Sequence, residues 1–335
     1  MSSHPPLGVV AVGNALVDVL AQTSEEFIAE QHAAHGMEKG AMTLIDEARA
    51  VDLYGQMPAG VESSGGSAAN TMAGFASFGG HGAFIGKVAD DELGRIFQHD
   101  LRSLGLKFDT QPLIMGAKTG RCLILVTPDA QRTMNTFLGA SVELSPLDID
   151  EALITQARVT YLEGYLFDRD QAKQAFIMAA EAAHAAGHRV ALTLSDPFCV
   201  DRHRSDFLRL VENHVDILFA NEEEIKSLFM QDNFEDAASA VSSHVEIAAL
   251  TRSEKGAVIV NGEQKHHIIP PAPVTQVIDT TGAGDQFAAG FLYGFTEGMD
   301  IETCGKLGTL AAAEVISHMG PRPGCSYADL LKKAA

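Results

Sequence analysis

The stretch DTTGAGDQFAAGF, Asp279–Phe291, sets three small residues directly before an aspartate and then runs straight into an apolar helix. A helix start needs an N-cap and little else; here the cap region is rich in glycine instead. The first amides of a helix lack intrahelical partners and carry partial positive charge. Glycine also lets the backbone approach an anion with no Cβ in between. Gly282, Ala283 and Gly284 are therefore expected to cradle negative charge, with Asp285 ionised at the mouth of the same helix. A carboxylate beside such a nest can accept a proton from a hydroxyl while the nest stabilises charge on a transferring phosphoryl group. Taken alone, the same residues also describe a glycine-rich turn capped by aspartate, so the rest of the chain has to decide.

Outward from this stretch, short apolar runs such as LGVVAVG, RVTYLEG, RVALTLS and VDILFAN alternate with longer helical patterns. That alternation predicts a mostly parallel sheet with helices on both faces. Residues 16–45 and 106–140 break the rhythm with strand-like runs including GRCLILVTP and QRTMNTFLG. They are expected to form a small β-sheet projecting from an α/β core built of residues 1–15, 46–105 and 141–335. A flap beside an α/β site excludes water; an ordinary sheet extension is the plainer reading. The tail LLKKAA is expected to fray.

The 335 residues are 46% hydrophobic, enough for a large core, and carry 44 acidic against 24 basic side chains, a formal net charge of −20. Nucleic acid and anionic membrane both require basic patches, so neither is the expected partner. No window approaches the roughly 20 apolar residues of a membrane helix. The N-terminal apolar run lacks a basic flank and is interrupted by Asn14 and Asp18, which marks a buried strand and not a signal peptide. Four widely spaced cysteines without C-x-x-C suit reduced thiols in a cytoplasmic protein. The histidines show no metal-ligand spacing, and His266 and His267 are expected on opposite faces of one strand.

SGGSAANTMAG opens a helix of small residues. Gly65 and Gly66 give a hinge or a close backbone approach to a ligand, and Asn70 can present an amide to a polyol. VGNALVD follows the first strand without the G-x-G-x-x-G of a dinucleotide site. Asn14 and Asp18 fall just beyond that strand, where open α/β sheets place ligands. Asp18 lies in an apolar run where an unpaired carboxylate is costly, and it can accept hydrogen bonds from two vicinal hydroxyls.

GGSAAN together with DTTGAGDQFAAGFL resembles both signature motifs of the ribokinase-like (PfkB) carbohydrate kinase family. VDILFANEEE is similar to its Asn-x-x-Glu element, and TRSEKGAVIV to its nucleotide-contacting strand–turn, with Ser253 where many members have glycine. The resemblance implies a ribokinase-like fold with a small β lid, and ATP as co-substrate. It also implies a kinase that acts on a hydroxyl of a nucleoside or sugar. In that reading Asp285 is the general base, and the amides of Gly282 to Asp285 form the anion hole. Asn221 and Glu224 organise Mg²⁺ through water. Thr251, Arg252 and Gly256 line the nucleotide groove. Asp279 and Thr281, with backbone near Gly320, stand where relatives bind a monovalent cation such as K⁺. Relatives occur as monomers and as dimers paired through the flap.

The Asn14-x-x-x-Asp18 spacing, YLEGYLF and DAQRTMNTFLGAS resemble the adenosine kinase branch. That branch implies the 5′-hydroxyl of adenosine as acceptor, AMP as product and a place in purine salvage. Arg132 could then reach a phosphate, Phe137 could cover the base, and Tyr165 and Leu166 could touch it. A ribose- or fructose-type sugar kinase is the alternative. A nucleoside-binding relative without turnover is a third, and the intact Asp285, Gly282 and Gly284 speak against it.

Overall fold

The computed structural model describes residues 7–129, 131–262 and 265–334. Its strands are β1 (Leu7–Val12), β2 (Leu16–Gln22), β3 (Met42–Leu44), β4 (Val61–Gly65), β5 (Gly82–Ile85), β6 (Thr119–Val126) and β7 (Arg132–Gly139). They continue with β8 (Ala157–Glu163), β9 (Arg189–Thr193), β10 (Ile217–Asn221), β11 (Ile247–Thr251), β12 (Ala257–Asn261) and β13 (Lys265–Ile269). The α-helices are α1 (Glu25–His35), α2 (Glu47–Gln56), α3 (Ser67–Ser77), α4 (Glu92–Ser103), α5 (Glu151–Ile154) and α6 (Asp170–Ala185). After them come α7 (Pro197–His214), α8 (Glu222–Phe229), α9 (Phe234–Val241), α10 (Ala283–Thr296), α11 (Ile301–Val315) and α12 (Tyr327–Ala334).

Eight strands form one sheet in the order β13-β12-β11-β10-β9-β8-β1-β5. Its members from β11 to β5 run parallel, and β12 and β13 add an antiparallel edge. Alternate residues of β1 enter different cores. Val10 and Val12 pack with Phe176 and Phe207 from α6 and α7, whereas Val9 and Ala11 pack with Phe75, Phe97 and Phe291 from α3, α4 and α10. Burial on both faces explains the near-continuous apolar runs of these strands. Across the exposed edge, His266 is open to solvent and His267 lies 3.5 Å from Glu302 (Nδ1 to Oε1).

The second sheet has the order β3-β7-β6-β2-β4. One face, with Val19, Leu123 and Leu125, is covered by Ile28 of α1, Met37 and Leu53 of α2. On the other face Asp18, Cys122 and Thr136 lie side by side in register.

Three features differ from the sequence expectation. Residues 25–35, expected among strand-like patterns, form α1, capped by Ser24 through its side chain. Strand β4 and α2, expected in the core, belong to the small sheet: Leu16–Leu20 pair antiparallel with Val61–Gly65. Conversely, Leu106 and Phe108 are buried in the large core, and Lys107 bridges to Ala83 beside β5. The tail continues α12 to Ala334, with Ala335 outside the described residues. No helix among the described residues is long and apolar enough to cross a membrane.

Candidate active site

Asn14, Glu163 and Asn221 stand at or just past the carboxyl ends of the parallel strands β1, β8 and β10, the edge where such sheets hold ligands. The N-termini of α3, α8 and α10 converge on this edge. Gly282, in the left-handed region at φ 78°, caps α10; a Cβ there would meet Pro321 at 2.7 Å. A Cβ on Gly284 would meet nothing within 4 Å, so the helix start is open on that side. Ala283 begins the helix between them. The glycine turn expected from DTTGAGD leads directly into the first turn of α10.

Asp285 is held in one orientation from α3. Ser67 Oγ donates to Oδ1 at 2.6 Å, and Asn70 Nδ2 donates to Oδ2 at 3.2 Å. Burial pushes its carboxyl up to about 6, with these two hydrogen bonds pulling the other way. A carboxyl with that affinity for a proton could exchange one near neutrality. Gln286, fully buried, ties α10 to α3 and to the C-terminal loop through the carbonyls of Asn70 and Pro321. The Asn70 amide is thus occupied: Arg322 Nε lies 3.4 Å from its Oδ1.

Asp18 reaches the same space from β2. Burial raises its carboxyl to about 6, opposed by the nearby charges of Arg322 and Arg132, and Asp285 pushes it further up. Gly65 is required here, since a Cβ would lie 2.3 Å from the Asp18 carboxyl carbon. Gly66, at φ 95°, could carry no Cβ because Asn14 O would be 2.4 Å away. These two glycines make room for Asp18 and Asn14 themselves. Along the same face of the small sheet Leu20, Cys122, Ile124, Val126 and Met134 form an apolar cluster beside Asp18.

Two expected contacts are rearranged. Phe137 neighbours Thr136 on β7, and strand alternation turns it to the face opposite Asp18, in register with Arg121; it cannot cover a base lying on the Asp18 face. Arg132 pairs with Asp279, and each side chain is almost fully buried. Asp279 also accepts from Thr281 N (3.0 Å) and Gly320 N (2.8 Å). The corner expected to hold a monovalent cation therefore contains a guanidinium. Arg132 Nε and Nη1 keep no hydrogen-bond partner. Leu166 is packed in the large core, and Tyr165 is part-buried beside it on the 3₁₀ turn after β8.

On the other flank, Asn221 and Glu224 form a reciprocal capping box at α8. Glu224 N donates to Asn221 Oδ1 (2.8 Å), and Asn221 N and Nδ2 donate to the Glu224 carboxylate (2.9 and 2.7 Å). Burial lifts Glu224 to about 7, and Asp196 and Asp285 add to the rise. Among the described residues no three acidic, histidine or cysteine side chains cluster as a metal site. Mg²⁺ held mostly by phosphate and water needs only one or two carboxylates, and Glu224, buried with its charge uncompensated, fits that task. Thr251 sits beside Asn221 in register. Arg252 is taken by Glu222 (2.9 Å) and lies 3.8 Å over the Phe234 ring. Gly256, at φ 83°, is forced by the backbone of Ile269, 2.2 Å from any added Cβ. Ser253 adopts φ 51°, which explains why glycine suits that position.

Three residues of the site escaped the sequence reading: Ser67, Glu163 and Arg322. Glu163 is 1% exposed and accepts from Asn14 Nδ2 and Ala68 N, both at 2.8 Å. A buried carboxyl within an apolar strand run, as in VTYLEG, was the signal available for it.

A part-buried carboxylate at an open glycine-lined helix start, with a second carboxylate nearby on the small sheet, suits phosphoryl transfer to an alcohol, and the chain is a phosphotransferase acting on a hydroxyl group. The sequence pattern of the pfkB family carbohydrate kinases matches residues 40–327, and the chain belongs to that family. Its fold is ribokinase-like, and it is a sugar or nucleoside kinase of a family that uses ATP as co-substrate. The crystal structure of adenosine kinase from Sinorhizobium meliloti is similar at 48% identity and TM-score 0.91, covering 99% of this chain and 100% of that one. A probable sugar kinase from Rhizobium etli CFN 42 is similar at 46% identity and TM-score 0.91, covering 98% of both chains. Adenosine kinase from Saccharomyces cerevisiae is 26% identical over 334 residues, 93% of this chain and 96% of the yeast protein.

Proposed function

We propose that the protein transfers the γ-phosphoryl group of ATP to the 5′-hydroxyl of adenosine, giving AMP and ADP, with the small sheet as a lid over the acceptor. The observation that carries this reading is that two part-buried carboxylates, Asp18 from the small sheet and Asp285 from α10, lie close enough to feel each other's charge. Asp18 can accept from two vicinal hydroxyls, and the apolar cluster beside it suits a base. The similarity to adenosine kinases along the full chain supports the same acceptor.

The acceptor hydroxyl donates to Asp285, which takes its proton as the oxygen bonds to the γ-phosphorus and the bond to the bridging oxygen breaks. Charge on the transferring group faces the first amides of α10 at Gly282 to Asp285. Positioning and charge stabilisation are most of what such a transfer needs. Arg132, with two unpartnered donors, can turn from Asp279 to a phosphate oxygen. Glu224 with Asn221 would hold Mg²⁺ through water, and Mg²⁺ would neutralise phosphate charge there. Asp279 and Thr281 would take a monovalent cation only if Arg132 moved away.

The name of the Rhizobium etli protein favours a sugar as the second candidate. A coupled ADP-release screen over adenosine, other nucleosides, ribose and fructose, with and without K⁺, tests the proposal. Turnover with adenosine at least tenfold above the rest is expected, and a preference for ribose or fructose would refute it.

A further inference from the structure

Glu163 lies at the end of β8 beside β1, and its two carboxylate oxygens have different work. Oε2 accepts from two backbone amides, Ala68 N at 2.8 Å and Asn14 N at 3.3 Å. The first of these belongs to the opening turn of α3, whose N-cap, Gly66, offers no side chain to cap it. Oε1 accepts from the Asn14 side-chain nitrogen, Nδ2, at 2.8 Å. The arrangement is tight: a Cβ on Gly13 would lie 2.6 Å from Glu163 Oε2 and 2.6 Å from Ala68 Cβ. Asn14 is 2% exposed, and its own oxygen, Oδ1, is buried with no hydrogen-bond partner.

A buried unsatisfied acceptor calls for an explanation. An ionised carboxylate can only accept, so while Glu163 is charged the Asn14 amide has one permitted orientation, nitrogen toward Glu163 and oxygen away. We infer that Glu163 is a positioning residue that fixes the polarity of Asn14, so that this corner of the acceptor site presents an oxygen and selects a hydrogen-bond donor on the acceptor. The inference rests on the proposed reading of Asn14 as an acceptor-site residue. It adds that Asn14 and Asp18 both accept hydrogen bonds, so the acceptor must offer donors to each. Neither a keto oxygen nor an ether at the Asn14 position would be tolerated.

Burial raises Glu163 to about 7, with the amides of Ala68 and Asn14 opposing the rise and Asp285 adding to it. Tyr161 and Tyr165 also face it electrostatically, but neutral tyrosines do not change charge near pH 7. Below about pH 7 a protonated Glu163 can donate, and the amide of Asn14 is released to turn.

The decisive comparison is an exchange of the two partners' chemistry. In Glu163→Gln the new side chain must keep its oxygen toward the two backbone amides. Its nitrogen then faces Asn14 and forces that amide to reverse, so KM for the acceptor is expected to rise about 10- to 100-fold for one inverted buried hydrogen bond, with a far smaller fall in kcat. The double variant Asn14→Asp/Glu163→Gln again places a donor opposite residue 14 and an oxygen toward the acceptor. It should recover at least tenfold of the loss, which a merely structural Glu163 would not predict. A double variant no better than Glu163→Gln would overturn the inference, given matching melting temperatures for the two.

A second readout needs no acceptor. The Asn14 side-chain amide resonances of the ¹⁵N-labelled wild type should move as Glu163 takes up a proton, and Glu163→Gln should shift them at neutral pH because the amide has reversed; resonances identical in the wild type and Glu163→Gln at neutral pH overturn the inference. If no nucleoside or sugar is turned over, the proposed function fails while this measurement still decides the role of Glu163.

Discussion

The two flanks of the site are built on opposite rules. On the acceptor flank, polar side chains are fixed by neighbours and yet keep groups in hand: Asn14 Oδ1 and Arg322 Nη2 are buried without partners, and Asp18 and Asp285 are both raised to about 6. On the nucleotide flank the expected residues satisfy one another. Asn221 and Glu224 close a capping box, and Arg252 is bound to Glu222 and Phe234. If the proposed function holds, the difference places the chemistry where polar groups are oriented but incompletely paired. The proposed nucleotide flank is a scaffold in which Glu224 and nearby Asp196 are held by amides, neither with an ion pair among the described residues.

Substitutions can break or sharpen this contrast. The largest effect is expected for Asp285→Asn, which should lower kcat by roughly 10²–10⁴ with little change in acceptor affinity. Wild-type kcat should also fall as pH drops through about 6, because protonation removes the base; near-normal turnover of the variant would exclude Asp285 from the chemistry. Asp18→Ala comes next and should weaken acceptor binding by about 2–5 kcal/mol through loss of charge-assisted hydrogen bonds, measured as KM or by calorimetry. Unchanged KM would move the acceptor elsewhere. Arg252→Ala tests the scaffold side. Loss of a part-buried ion pair and a ring contact should cost about 0.5–2 kcal/mol of stability, while KM for ATP stays within about threefold. A tenfold rise in that KM would erase the contrast between flanks. The smallest effect belongs to Ser253→Gly. Relief of left-handed strain, worth about 1–2 kcal/mol, is largely offset by the extra chain entropy of glycine, about 0.5–1 kcal/mol. A melting temperature equal to or slightly above wild type is expected, and a clear drop would mean that the serine side chain is used.

The sheet-and-helix alternation and the DTTGAGD turn were legible because each is local: apolar periodicity and glycine spacing are properties of neighbouring residues. The boundary of the small sheet was not. Val61–Gly65 reads VESSG, with no apolar alternation, and is a strand only because β2 offers it an open edge. The partners that orient the chemistry are equally hidden. Ser67 meets Asp285 across 218 residues, Glu163 meets Asn14 across 149, and Arg322 meets Asn70 across 252. Phe137 was misplaced for a smaller reason, since one step of strand parity decides which face a side chain occupies and no motif reports it.

The ion pair between Arg132 and Asp279 couples the small sheet to the loop that leads into α10. Both side chains are less than a tenth exposed, so drawing the sheets apart means rehydrating a guanidinium and a carboxylate together. If the small sheet opens as the proposed lid, the residence time of an acceptor beneath it would depend in part on that wetting step, alongside the bonds of Ser64 and Thr119 to Asp100 and Asp91. Lysine, more strongly hydrated than arginine, would at position 132 let go sooner and shorten that stay.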